Sequence, residues 1–148
     1  MERKEFIKAC GFACLSGAGL PALLQSCTTA KILSGSIKDN DLIVALSDFE
    51  TKAAGEIHYK KYIIVNNDIL QYPICVYRFD AKNYSALWMR CTHQGAELQV
   101  FGDKLQCPAH GSEFDNKGNV TNSPADIPLR SFPIVIENNQ LKISLKAV

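Results

Sequence analysis

Downstream of the N-terminus, apolar residues come in short runs separated by turn-forming residues, and no long stretch repeats at helical spacing. Glu56-Ile57-His58-Tyr59-Lys60 alternates polar with apolar, which predicts a strand with His58 on its solvated face. Tyr72-Pro73-Ile74-Cys75-Val76-Tyr77 is an apolar, strand-like run, with Cys75 acting as a small buried hydrophobe. Phe114-Asp115-Asn116-Lys117-Gly118-Asn119-Val120 places a turn signal between short apolar stretches. The segment from Phe132 to Leu145 predicts two strands around an Asn138-Asn139 turn, and Trp88 supplies aromatic bulk to a small core. The pattern predicts an all-β fold of short strands.

The N-terminus follows a different pattern. A charged start is followed by an uncharged, small and apolar stretch from Ala9, ending in small residues, as a signal segment over residues 1–26 would. Arg3-Lys4-Glu5-Phe6-Ile7-Lys8 resembles the twin-arginine export motif, with lysine replacing the second arginine. Leu24-Gln25-Ser26-Cys27 looks like a bacterial lipobox, in which Cys27 carries lipid and becomes the first mature residue. An uncleaved anchor is the alternative, although Gly17, Gly19 and Pro21 make a spanning helix of about 20 residues marginal. Residues 27–41, with Ser34-Gly35-Ser36 among them, read as a polar tether. That leaves 42–148 as one folded domain. The expected location is the bacterial cell envelope, with the chain anchored to the membrane and facing the periplasm.

Charge narrows the partners. Without residues 1–26 the chain keeps thirteen basic and thirteen acidic side chains, and no basic stripe suggests nucleic acid. Docking is therefore expected to be local rather than driven by net charge. Of the six cysteines, Cys10 and Cys14 fall in the signal segment, Cys27 in the lipobox and Cys75 in an apolar run. No disulfide is expected.

Cys91 and Cys107 remain, each followed closely by a histidine in Cys91-Thr92-His93 and Cys107-Pro108-Ala109-His110. A thiolate and an imidazole from each cluster form a donor set suited to iron–sulfur chemistry or zinc. Gly95 and Gly111 stand where two loops must bend closely around a bound group, and Pro108 stiffens the second loop. From the residues alone, three readings stand: a two-iron cluster, a structural Cys₂His₂ zinc site, or unliganded side chains.

The paired C-x-H and C-x-x-H arrangement, with Gln94-Gly95-Ala96 after the first and Gly111-Ser112-Glu113-Phe114-Asp115 after the second, resembles the Rieske [2Fe–2S] family over roughly Gly55 to Val148. The resemblance implies a stack of small antiparallel sheets with a cluster-binding subdomain at the tip, and one [2Fe–2S] cluster per chain. It implies that Cys91 and Cys107 hold one iron and that His93 and His110 hold the other at an exposed tip. Ser123-Pro124-Ala125-Asp126-Ile127-Pro128-Leu129 looks like the family's proline loop, a third wall of the site. Leu98, Phe114 and Leu129 are candidates to shield the thiolate side from water. Ser112 matches a serine that donates a hydrogen bond near the cluster sulfurs, whereas Phe114 stands where the quinol-oxidising branch has a tyrosine. Ala96 and Ala109 stand where that branch has a disulfide. These departures imply an intermediate to low potential within the family. The function so implied is a membrane-tethered carrier, or a redox subunit of a larger oxidoreductase, exchanging electrons with protein partners. The iron–sulfur subunit of a quinol:cytochrome c oxidoreductase is the narrower alternative, and a zinc-stabilised binding lipoprotein the alternative of another class.

Overall fold

The computed structural model describes residues 32–146; the signal segment expected over 1–26 and the lipid attachment expected at Cys27 lie outside the described residues. In chain order the strands are β1 (Ile32–Ser34), β2 (Ser36–Lys38), β3 (Asp41–Ala45), β4 (Glu50–Ala53), β5 (Glu56–Tyr59), β6 (Tyr62–Asn66), β7 (Ile74–Arg78) and β8 (Tyr84–Trp88). They continue with β9 (Gln99–Phe101), β10 (Lys104–Gln106), β11 (Glu113–Asp115), β12 (Val120–Asn122), β13 (Ser131–Phe132), β14 (Ile134–Glu137) and β15 (Gln140–Ser144). One turn of 3-10 helix, Leu46–Phe49, precedes β4. The all-β expectation holds. Among the described residues no helix is long and apolar enough to cross a membrane.

A five-stranded sheet in the order β1-β6-β7-β8-β13 lies at the centre. The sheet β14-β15-β3-β2 and the sheet β12-β11-β10-β9 are separate, and β4-β5 forms a two-stranded ribbon. All pairings are antiparallel except β1 on β6. The central strands are buried on both faces, which is why their sequences are continuously apolar rather than alternating. Ile63 and Val65 of β6, Ile74 and Val76 of β7 and Ala86 of β8 pack with Leu42, Val44, Leu141 and Ile143 of the β14-β15-β3-β2 sheet. The intervening Ile64, Cys75, Tyr77 and Leu87 pack on the other side with Met89, Leu98, Leu105, Phe114, Leu129 and the two cysteines Cys91 and Cys107. One face of the central sheet therefore stabilises the fold, and the opposite face carries the candidate site.

The expected Asn138-Asn139 turn is present. Both residues lie at positive φ (51° and 58°) and join β14 to β15 as a two-residue hairpin, a conformation asparagine tolerates better than most residues. His58 is exposed on β5, as its alternating context predicted.

The tether expected over 27–41 is corrected from Ile32 onward: residues 32–41 belong to the folded domain, through β1 and β2. Leu33 and Ile37 pack against the core, Asn67 Nδ2 donates to the Gly35 carbonyl at 2.8 Å, and Gly35 N donates to Asn66 O at 2.9 Å. Gly35 is there for close approach, not flexibility. A Cβ at that position would lie 2.5 Å from Leu42 Cδ1 and 2.6 Å from Val65 Cγ1, both on fully buried side chains.

Between β11 and β12, the Asp115 carboxylate organises the turn that carries the proline loop. It accepts from Lys117 N at 2.8 Å and Asn119 N at 2.9 Å through Oδ1, and from Asn119 Nδ2 at 2.9 Å through Oδ2. The same turn presents the Gly118 carbonyl to Leu129 N at 2.8 Å. Partial burial raises the Asp115 pKa, but the donors from Asn119, Lys117 and Gly118 outweigh it and hold the group below its ordinary value of 3.8.

Two outcomes follow. Gly35→Ala overpacks the seam and should lower unfolding stability by about 1–3 kcal/mol in denaturant titration. For Asp115, a lowered folded-state pKa adds stability that is present above the unfolded value and lost as pH falls through the folded one. The stability gap between wild type and Asp115→Asn should be constant above about pH 5 and shrink as the pH drops below 4, measured by thermal unfolding across that range.

Candidate metal centre

Two ribbons end in the two loops. The first leaves β8, pairs once at Arg90–Glu97 and closes with Cys91 N donating to Ala96 O at 2.8 Å and Gly95 N donating to Cys91 O at 2.9 Å. The second leaves the β10–β11 pair at Gln106–Glu113 and closes with Cys107 N on Ser112 O at 2.8 Å and Gly111 N on Cys107 O at 3.0 Å. The two closures are the same: a cysteine opens each loop, and a glycine four residues later turns it at positive φ (77° for Gly95, 80° for Gly111). Only the histidine differs, standing second after Cys91 and third after Cys107.

This shared frame sorts the donors by depth. Cys91 and Cys107 are buried and free, with their side chains in the hydrophobic cluster that includes Leu98, Phe114 and Leu129. His93 is half-buried and His110 exposed, with ring centroids 5.0 Å apart and planes at 88°. His93 Nδ1 is buried and has no hydrogen-bond partner. A buried nitrogen left so costs roughly 1–3 kcal/mol unless a metal or donor engages it. The residues thus fit an iron–sulfur group: thiols in a dry interior, one imidazole exposed and one half-buried, and an unsatisfied nitrogen on the half-buried ring. A structural zinc ion would require four donors about 2.0–2.3 Å from one point. Among the described residues no three His, Cys, Asp or Glu side chains are grouped to hold one metal ion.

Ser112 is fully buried and its Oγ accepts from Ala125 N at 3.0 Å, so the hydroxyl proton stays free to be donated. Phe114 is fully buried in the core beneath the loops and has no hydroxyl to offer. The proline loop touches both ligand loops: Ala125 reaches Ser112, and the Ile127 carbonyl accepts from Thr92 Oγ1 at 2.7 Å. Asn122 Nδ2 donates to Gly111 O at 3.0 Å. Tyr72 donates from its hydroxyl to Gly95 O at 2.6 Å. Thr92, Asn122 and Tyr72 carry no sequence signal for these roles, because each bonds to a distant main-chain carbonyl.

Cys75 lies in the same apolar cluster but is no competing ligand. Burial pushes its thiol up to about 12, and the neighbouring Tyr77 hydroxyl lowers it by less. Burial, with Cys75 alongside, also raises the Tyr77 phenol. Both groups are neutral at physiological pH and add no charge to the interior beneath the loops. Trp88, expected in the core, packs against the opposite hydrophobic cluster, with the guanidinium carbons of Arg90 and Arg130 at 5.7 and 5.8 Å from its ring.

Comparison with known proteins agrees with this geometry. The profile of the Rieske [2Fe-2S] domain family matches residues 49–133, a span that holds both loops. The cytochrome b6-f complex iron-sulfur subunit 1 of Synechocystis is 36% identical over 56 residues, covering 36% of this chain and 32% of that protein. The oxygenase component of dicamba O-demethylase from Stenotrophomonas maltophilia is 36% identical over 77 residues, covering 45% of this chain and 23% of that protein. The chain thus matches about a third or less of the length of these relatives. Among solved structures, the cyanobacterial plasma membrane Rieske protein from Synechocystis gives a TM-score of 0.50 at 25% identity, over 57% of this chain and 86% of that one. A chain from the complex of reduced oxygenase and oxidized ferredoxin in carbazole 1,9a-dioxygenase gives 0.51 at 25% identity, over 70% of this chain and 91% of that one.

Proposed function

This chain belongs to the Rieske [2Fe–2S] domain family and binds one [2Fe–2S] cluster, and on that premise we propose that it passes single electrons between redox proteins at the bacterial cell envelope. In this reading Cys91 and Cys107 hold one iron and His93 and His110 the other. One observation carries the ligand assignment: the orphaned, buried Nδ1 of His93 lies beside the His110 ring, between loops whose cysteines are free and buried.

When bound, the cluster supplies reversible one-electron chemistry, at potentials that span roughly −150 to +300 mV across the family. The chain's own residues set the position in that range. Two neutral imidazoles in place of two thiolates remove negative charge and make reduction easier than in an all-cysteine site. Ser112 keeps a proton to donate toward a sulfur, and a hydrogen bond there stabilises the reduced, more negative state. Phe114 offers none, and no disulfide joins the loops, since Cys75, Cys91 and Cys107 are free. These features favour an intermediate to low potential and weigh against quinol oxidation. The apolar wall of Leu98, Phe114 and Leu129 keeps water from the thiols, while exposed His110 offers a docking partner the shortest approach.

Membrane attachment is part of the proposal. The lipobox-like Leu24-Gln25-Ser26-Cys27 supports it, and one structural relative is itself a plasma membrane Rieske protein. With β1 beginning at Ile32, lipid on Cys27 would stand only five residues from a strand of the domain, a span of at most ~18 Å even fully extended. The domain would then sit directly on the bilayer instead of ranging from it.

Purified from iron-replete cells, the protein should contain two irons and two acid-labile sulfides and give a Rieske-type EPR signal, which His93→Ala abolishes. A colourless, zinc-loaded protein would end this reading. Cys27→Ala should move the protein from the membrane pellet to the soluble fraction and remove the lipid mass; unchanged fractionation and mass would rule out lipid at that residue.

A further inference from the structure

The two ligand loops share one closure but not one foundation. The second continues a ladder in which β10 and β11 pair over three residues, whereas the first is backed only by a single bridge at Arg90–Glu97, made by Leu98 N donating to Met89 O at 2.9 Å and Cys91 N donating to Ala96 O at 2.8 Å. No disulfide ties the first loop to anything, since Cys75, Cys91 and Cys107 are all free. A loop so lightly laddered needs other restraints if the imidazole it carries is to keep one direction.

We propose that Tyr72 is the positioning residue of the first ligand loop. Together with Thr92 it pins the chain on both sides of His93. The inference rests on the ligand reading above and adds to it the group that aims the first histidine.

Gly95 spends its N–H on closing the loop to Cys91, while its carbonyl accepts from outside the loop. Tyr72, from the segment that leads into β7, donates to that carbonyl at 2.6 Å. Its ring cannot wander: it stands edge-on to Trp88, with centroids 5.5 Å apart and planes at 89°. Trp88 is held in turn, its N–H donating to Arg130 O at 2.9 Å and its ring flanked by the Arg90 and Arg130 guanidiniums. Arg90 completes the circuit, its Nη2 lying 3.2 Å from where a Cβ on Gly95 would stand. Gly95, Tyr72, Trp88 and Arg90 thus form a closed ring of contacts on one side of His93. On the other side, Thr92 Oγ1 donates to Ile127 O at 2.7 Å and ties the loop to the proline loop. A metal ligand holds its productive geometry only within about 0.5 Å and 10–20°, a tolerance that the supporting groups must enforce.

The test uses the full-length holoprotein as wild type, Tyr72→Phe and Thr51→Val. Tyr72→Phe keeps the ring and its packing and removes only the donor. Thr51→Val removes another hydroxyl-to-carbonyl bond, Thr51 Oγ1 to His58 O at 3.2 Å, within the β4-β5 ribbon and away from both loops and the proline loop. Each is followed by EPR, redox titration and the rate of bleaching by an iron chelator, with global unfolding measured in parallel. Tyr72→Phe should broaden and shift the EPR spectrum, move the midpoint potential, and speed bleaching about fivefold, the rate equivalent of ~1 kcal/mol for one hydrogen bond. Thr51→Val should leave spectrum, potential and bleaching as in wild type. If Tyr72→Phe matches wild type in spectrum, potential and bleaching, or if Thr51→Val reproduces its spectral changes, the positioning role is wrong while the ligand reading stands. A wild-type protein without a Rieske signal would overturn both together.

Discussion

Four main-chain hydrogen bonds, two in the loop after Cys91 and two in the loop after Cys107, set the shape of this end of the molecule. They fold each cysteine back on the residues four and five positions later. Each loop can close so tightly only because Gly95 and Gly111 accept positive φ. With the closures in place, the cysteine at the root of each loop is drawn inward and the residues that follow are carried outward. The division of the site into buried thiols and outward imidazoles is thus a property of the backbone before it is one of the side chains.

The central sheet turns this local constraint into a rigid platform. Because β6, β7 and β8 are buried on both faces, alternate residues serve two separate packing clusters. One binds the β14-β15-β3-β2 sheet, and the other encloses the cysteines. Apart from the two loop cysteines the second cluster is mostly apolar, and its members Cys75 and Tyr77 are kept neutral by burial. The sulfur side therefore sits in a medium with little water and no competing charge. In such surroundings a single hydroxyl such as that of Ser112 counts for more than it would at the surface.

Most of this was legible in the sequence, for physical reasons. Short apolar runs between turn residues pack as small sheets, while Cys91, His93, Cys107 and His110 left zinc or unliganded side chains open until their resemblance to a known family was added. Gly95, Gly111 and Asn138-Asn139 were readable because positive φ selects particular residue types. Ser34-Gly35-Ser36 was misread because glycine serves two opposite ends, freedom in a linker and close approach in a core. Composition cannot separate the two; only the nearness of Leu42 and Val65 does. Tyr72 and Thr92 stayed hidden because their acceptors are main-chain carbonyls 23 and 35 positions away, and a carbonyl leaves no letter in the sequence. The parallel pairing of β1 with β6 was equally silent, since a three-residue strand carries no mark of its direction.

The duplicated loop frame has a further consequence, for how such a site can be altered. Its closing hydrogen bonds join backbone to backbone and use none of the side chains at positions 93–94 and 108–110, whereas Thr92 is held through its own hydroxyl. The frame therefore behaves as a socket whose fittings can be exchanged without dismantling it, provided that its two glycines and Thr92 stay. One residue's difference in where the histidine stands, second in one loop and third in the other, is already an instance of that freedom within a single molecule. A lineage, or a designer, seeking a new donor set has in these six-residue loops a place where chemistry can be rewritten while architecture is left alone.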